Sequence, residues 1–442
     1  MVYLERRTSG LADGADCRTG FRYTAFMTTK ELRTPRRARD RAGQLSPDAE
    51  NLVAAALGLA HSGSRSEDRF WEHQLGRLVD RSLDSTHSSA LMTALERLNQ
   101  TDGEAYAALI ESVEHAAETV EIGTAPGAST AGARGAAVGE PRFGLLLTAP
   151  LVVWTRFAIP SGAIPPQAAG ELAALWKDLI LAPGVSFRMI PWLYSLDQLP
   201  REFPELRRLT RKLTTAAATD TEPRVDVKSM PESADMLADP RFLVAAVSVP
   251  DALQPLFRWQ VSGGAGQTRV QCLEQWVSNA RPVIEPLLPG CGFECLLPDA
   301  YHINLRESDR RVRPYGIKAA VHSLTHAMAI EPTGIRATIG AFGDDRIDEY
   351  RIGLSVGEDE DVLRGVVWPL LGSETESDEP SPLERIREAL REAGVENVEV
   401  WPEVNQPEFC EDCGAPLYPG PNDEVVHVEM PEEPGTGPNH FH

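Results

Sequence analysis

The sequence predicts an α+β protein, and three observations carry that prediction. Apolar residues recur at helical spacing from Ser46 to about residue 122; the period changes to that of strands after a small-residue stretch, Gly123 to Pro141; and from there strands and helices alternate in the order β-β-α-β-α, twice over. An N-terminal helical bundle, repeated β-β-α-β-α units and a small C-terminal tail resembling a zinc knuckle are the expected architecture.

The helical region spans residues 45–122. Ser46-Pro47-Asp48 supplies an N-cap, a proline at the first helical position and an acid in the first turn, after which Leu52, Ala56 and Leu59 share a face. Further helices are predicted over Ser66–Leu83, His87–Asn99 and Gly103–Ile122, short enough to pack as antiparallel neighbours. Residues 123–141, GTAPGASTAGARGAAVGEP, read as a flexible linker.

The first α+β unit covers residues 142–218. Phe143–Val153 reads as a buried strand, Trp154–Ile159 as its neighbour, Pro165–Leu181 as a helix, Val185–Tyr194 as a strand and Phe203–Ala217 as a helix. The second unit, 241–329, repeats the order with strands at Phe242–Val249 and Leu256–Val261, a helix at Arg269–Leu288, a strand at Gly292–Tyr301 and a helix at Arg313–Met328. A third, variant unit at 330–403 is predicted as a meander of Ile335–Phe342, Arg346–Val356 and Val362–Leu371, then a helix at Pro382–Ala393 and a strand at Val398–Trp401.

The tail, residues 404–442, carries the clearest chemistry. Cys410 and Cys413 stand two residues apart and Gly414 frees the backbone behind them, the arrangement that closes two thiolates on one ion. Thirteen residues separate Cys413 from His427, close to the spacing of sites with two cysteines and two histidines. Twelve more separate His427 from His440, which is irregular, and either His440 or His442 could complete the set. The expected metal set is therefore Cys410, Cys413, His427, His440 and His442, and the expected cofactor a structural zinc; a redox-active Cys-x-x-Cys and unliganded surface residues are the alternatives.

Charge separates the two ends of the chain. Of the net charge of -22, -18 falls between Glu358 and His442, where 22 acidic residues face four arginines. Residues 1–44 carry ten Lys/Arg against five Asp/Glu and read as a disordered basic arm, with Met27 an alternative start. No aromatic residue interleaves the arginines beyond Met27, so a solvated arm is favoured over a nucleic-acid contact. No run approaches 18 uninterrupted apolar residues, which argues against a membrane span, and six cysteines without a secretory signal place the chain in the cytoplasm.

Other constellations have bland readings beside the sharp ones. Arg306, Arg310, Arg311 and Arg313, placed in a turn before a helix, are a candidate site for a small-molecule anion, with ion pairing to nearby acids the alternative. Arg201, Arg207, Arg208, Arg211 and Lys212 occupy the equivalent place in the first unit. His322 and His326 lie four apart on one helix face but lack the glutamate of a metalloprotease helix, so ordinary helix histidines are favoured. Cys291 and Cys295 have a spacing zinc tolerates, yet the alternation around them points to buried thiols. Nucleotide-loop, nucleophile-elbow and EF-hand motifs are absent from the sequence.

Five segments, SPDAENLVAAALGLAHSGSRSEDRFWE, YSLDQLPREFPELRRLT, LPGCGFECLLPDAY, RIDEYRIGL and PEFCEDCGAPLY, together with the terminal HFH, carry a resemblance to an uncharacterised family of bacterial proteins, a domain-of-unknown-function group. The resemblance runs from about Ser46 to His442 and implies no activity. Two functions fit the residues: a non-enzymatic interaction or regulatory protein with a protein partner, or an enzyme on an anionic small molecule in which the arginines bind the anion and His302 or Asp299 does acid-base work. Duplex nucleic acid is not the expected partner of so acidic a chain.

Overall fold

The computed structural model describes residues 45–84, 89–123, 142–227, 230–233, 236–261, 266–344, 346–357, 361–372, 374–411 and 414–428. The expected arm at 1–44 and nearly all of the expected linker lie outside these residues, as do Cys413, His440 and His442. The chain divides into two compact units, which among the described residues comprise 45–153 with 158–310, and 154–157 with 311–428.

Four helices open the first unit: α1 (Pro47–Ala60), α2 (Arg65–Asp84), α3 (Ser89–Thr101) and α4 (Gly103–Glu118). Ser46 caps α1 by accepting the Ala49 N–H at 3.3 Å, and Asp102 caps α4 by accepting the Ala105 N–H at 2.9 Å. α1 packs against the other three through Ala49, Leu52, Ala55 and Ala56. A Cβ on Gly58 would lie 2.5 Å from the Trp71 ring, so the glycine is what lets α1 and α2 close together. The predicted fourth helix ends early: Thr119–Ile122 is a strand, β1, paired antiparallel with residues 142–145. The β-branched Thr119, Val120 and Ile122 favour it once a partner strand is present.

β2 (Arg142–Trp154), β3 (Gly162–Ala163), β4 (Ser186–Ser195) and β5 (Ala238–Val249) join β1 in one sheet of order β1-β2-β5-β4-β3, and β6 (Gly292–Cys295) and β7 (Asp299–Ala300) also pair with β2. β4 therefore pairs with the first strand of the following segment, while β6 and β7 return to the first strand of the preceding one. β2 is buried along almost its whole length, because helices cover both faces. Its odd-numbered residues, Leu145 to Val153, join Trp176 and Trp276 in a core under α5 (Pro166–Leu175) and α7 (Arg269–Ile284), the two indoles meeting edge-on at 5.9 Å. On the other face Gly144 admits Thr214 of α6 (Phe203–Thr219), which an added Cβ would meet at 2.5 Å.

Four sequence expectations change here. Trp154–Ile159 is no second strand, since Trp154 still belongs to β2 and the strand that follows it, pairing with β4, is only Gly162–Ala163. Leu256–Val261 is a bend with a 3-10 turn at Arg258–Gln260, held by the Gln260 side chain accepting the Leu256 and Phe257 N–H groups. Gly292–Tyr301 is broken by Pro298, which has no N–H to donate, and Tyr301 already begins α8 (Tyr301–Met328). That helix runs through Pro314 without ending, so Arg306, Arg310, Arg311 and Arg313 are helical and not in a turn before a helix.

In the second unit, residues 311–328 of α8 pack Ile317, Ala320, Val321 and Leu324 on a four-stranded sheet. The strands are β8 (Ile335–Phe342), β9 (Glu349–Val356), β10 (Arg364–Pro369) and β11 (Asn397–Asn405), in order β10-β9-β8-β11. β8, β9 and β10 form the antiparallel meander, whereas β11 joins β8 in parallel, as a crossover through α9 (Pro382–Glu392) requires. α9 opens on a reciprocal capping box: Ser381 Oγ accepts the Glu384 N–H at 3.2 Å and Glu384 accepts the Ser381 N–H at 2.9 Å. β12 (Tyr418–Pro419) and β13 (Val425–Val426) form a closing hairpin. Tyr418 lies on Gly365 and the Pro419 carbonyl on Gly353, where any Cβ would collide.

Candidate functional site

The candidate anion site resolves into separate ion pairs. Arg306 Nη1 lies 2.6 Å from Glu114 Oε2, Arg310 is 3.8 Å from Glu307, and Arg313 donates to both carboxylate oxygens of Glu374 at 2.7 and 2.9 Å and to the Pro369 carbonyl at 2.8 Å. The Arg313 guanidinium also covers the Trp368 ring at 4.8 Å. Arg311 is exposed, on a different side of the helix. Basic residues of α6 are likewise paired, Arg207 with Asp80 at 3.0 Å and Asp84 at 3.1 Å and Arg211 with Asp84 at 3.3 Å, and just before the helix Arg201 pairs with Asp197 at 2.8 Å.

One cluster does gather chemistry. α4 brings Glu114 and Glu118, the first turns of α8 bring His302 and Arg306, and β7 brings Asp299, within the first unit. The His302 N–H donates to Glu118 Oε2 at 2.9 Å, and its Nδ1 lies 3.9 Å from Glu114 Oε1. Asn304 anchors the turn by donating to the Thr148 carbonyl at 2.5 Å and the Leu297 carbonyl at 3.1 Å, while Asp299 pairs with Arg269. Burial dominates the electrostatics: it pushes Glu118 up to about 8 and raises Glu114 despite Arg306, and it raises Asp299 despite Arg269. Burial, with Arg306 beside it, drops His302 to about 3. Near pH 7 the cluster thus holds a neutral imidazole and a protonated Glu118.

Such a set can store and exchange protons, but His302 is 2% and Asp299 4% exposed, so no substrate reaches either without opening the packing. Asp299, His302 and Arg306 were legible as candidates; Glu114 and Glu118 were not. The signal for Glu114 is a carboxylate inside the apolar stripe Ile110, Val113, Glu114, Ala117 of α4, which demands a buried partner.

Among the expected metal ligands, Cys410 and His427 are described. Residues 408–410 and 414–417 pair with one another: the Cys410 N–H donates to the Ala415 carbonyl at 2.8 Å, the Gly414 N–H to the Cys410 carbonyl at 2.9 Å, and the Leu417 N–H to the Glu408 carbonyl at 3.1 Å. Gly414 has φ +73°, the left-handed conformation glycine adopts without strain. Among the described residues no group of three or more His, Cys, Asp and Glu side chains is placed to hold a metal. Cys295 is buried in the first unit's core, which pushes its thiol up to about 12, and Cys291 packs at the edge of that core. His322 and His326 are exposed, and His326 Nε2 lies 3.2 Å from Arg156 Nη1.

Two concavities lie in the second unit. A cavity of about 170 Å³ is lined by Arg346, Asp348, Leu370, Glu374, Thr375 and Glu376. An open polar groove of about 410 Å³ is lined by Trp401, Asn405, Gln406, Glu408, Asp423 and Glu424. No helix among the described residues is long and apolar enough to cross a membrane.

No curated protein and no solved structure matches the chain. A family model described as "Protein of unknown function (DUF2863)" matches residues 37–441, nearly the whole sequence, and the chain belongs to that family.

Proposed function

We propose that the chain works by binding and not by turnover, as a non-enzymatic interaction or regulatory protein of the cytoplasm. In this reading the helical region of residues 45–122 takes a protein partner and the strand-helix units of 142–218 and 241–329 form a duplicated platform. A structural zinc held by Cys410, Cys413 and one or more of His427, His440 and His442 pins the acidic tail. The observation that carries the reading is the fate of the arginines: Arg306 and Arg313, with Arg207 on α6, are engaged by the chain's own carboxylates, which leaves little of their charge for a diffusible anion. The reciprocal pairing of β4 with β5 and of β7 with β2 supports the duplication. The turn at Cys410–Gly414 supports the metal. The acidic tail disfavours nucleic acid as the partner.

The second reading, an enzyme on an anionic small molecule bound by Arg306, Arg310, Arg311 and Arg313, is favoured by one observation: Asp299, His302 and Arg306 meet in a single cluster. A thermal-shift screen of phosphates and carboxylates separates the two. The binding reading expects no rise in melting temperature at millimolar anion; a saturable rise that Arg310→Gln with Arg311→Gln removes would favour the enzyme reading in its place.

A further inference from the structure

We propose that the groove between the end of β11 and the β12–β13 turn is a docking site for the chain's own basic segment, residues 30–41. Its rim is acidic and unneutralised: Glu408, Asp423 and Glu424 are exposed, and none forms an ion pair with a Lys or Arg among the described residues. The sequence offers no local compensation, because from Glu392 to His442 there are twelve Asp or Glu residues and no Lys or Arg. The groove is nonetheless more than a patch of acids. Its lining includes Trp401, which is 9% exposed and whose indole N–H has no hydrogen-bond partner, a costly omission for a buried donor.

β11 is also the edge of its sheet and widens opposite Gly340, where its register with β8 shifts between Val400 and Val404. An extended segment laid along such an edge brings carbonyl acceptors on its backbone and every second side chain to the rim. Acids at the rim select guanidinium groups, and an indole beside them adds an aromatic surface for one of those groups. The segment 30–41 supplies Lys30, Arg33, Arg36, Arg37, Arg39 and Arg41 against only Glu31 and Asp40. This occupant extends the binding reading above to the acidic tail of the same chain.

The test is a fluorescence-anisotropy titration of a labelled peptide of residues 30–41 into the full-length chain carrying Arg33→Gln, Arg36→Gln, Arg37→Gln, Arg39→Gln and Arg41→Gln, so that no internal segment competes. Saturable binding is expected, weaker by about fivefold or more when salt rises from 0.1 to 0.5 M. Adding Glu408→Gln, Asp423→Asn and Glu424→Gln should weaken it by about tenfold or more while leaving thermal unfolding unchanged. The wild-type chain, its own segment in place, should bind the peptide about fivefold more weakly than the arm-neutralised chain. Absence of saturable binding, or binding indifferent to the rim substitutions, overturns the site. Equal binding by the wild-type and arm-neutralised chains overturns the occupant. Zinc content, measured on the same preparations, reports the metal assignment independently of either result.

Discussion

Arg351 and Glu408 are joined by a hydrogen bond of 2.6 Å in which a fully buried guanidinium of β9 donates to a backbone carbonyl of the tail. The same nitrogen donates to the Leu417 carbonyl at 2.7 Å, Nε pairs with Glu349 at 2.7 Å, and the guanidinium lies 4.7 Å from the Phe342 ring and 4.9 Å from the Phe409 ring. One side chain thus clamps both arms of the Cys410 turn to the sheet.

Arg351→Met should therefore strip the Glu408 and Leu417 carbonyls and Glu349 of a buried donor and destabilise the chain by about 2–4 kcal/mol. Thermal unfolding measures the loss, and limited proteolysis should place new cleavage between Glu408 and Leu417. Unchanged melting and no new cleavage would mean that the clamp is idle.

A second buried pair makes the same argument in the first unit. Arg306→Met leaves Glu114 buried without its cation, at a cost of about 3–5 kcal/mol at neutral pH and above. The cost should shrink at lower pH, where Glu114 takes up a proton, and adding Glu114→Gln should recover part of it. Urea midpoints of the two variants at pH 5 and pH 8 check both statements.

The helix that carries Arg306 also marks where the sequence stops being readable. Periodicity reported α1 because its buried face is Ala49, Leu52, Ala55 and Ala56, and it reported β2 through its long apolar run. α8 buries His302, Asn304, Ser308 and Arg313 in its first half, so an apolar period is missing although the helix is real. Pro314, tolerated inside the helix, imitates a first-turn proline and moved the expected start twelve residues downstream. The partners of those polar residues lie far along the chain: Glu114 is 192 residues from Arg306 and Glu374 is 61 from Arg313, and no local spacing announces either contact.

Glu118 gives a pH dependence whose sign is fixed. Its carboxyl is pushed from 4.5 up to about 8, so the folded chain holds a proton that the unfolded chain releases, and the associated stability is present below about pH 4.5 and lost as pH rises through 8. His302, lowered from 6.5 to about 3, acts oppositely and costs stability as pH falls through that lower window. Glu118→Gln keeps an acceptor for the His302 N–H but cannot ionise. Its melting temperature should fall less steeply than that of the wild type between pH 5 and pH 8, the difference amounting to at most about 1.4 kcal/mol per pH unit. Parallel pH profiles would show that Glu118 ionises freely in the folded chain.

The metal content of the purified chain tests the central claim most directly. Elemental analysis of protein prepared under reducing conditions should find close to one zinc per chain, and Cys410→Ser should release it. Wild-type protein without zinc, or a Cys410→Ser variant that retains it undiminished, would contradict a metal-pinned tail and with it the proposed organisation of the C-terminal region.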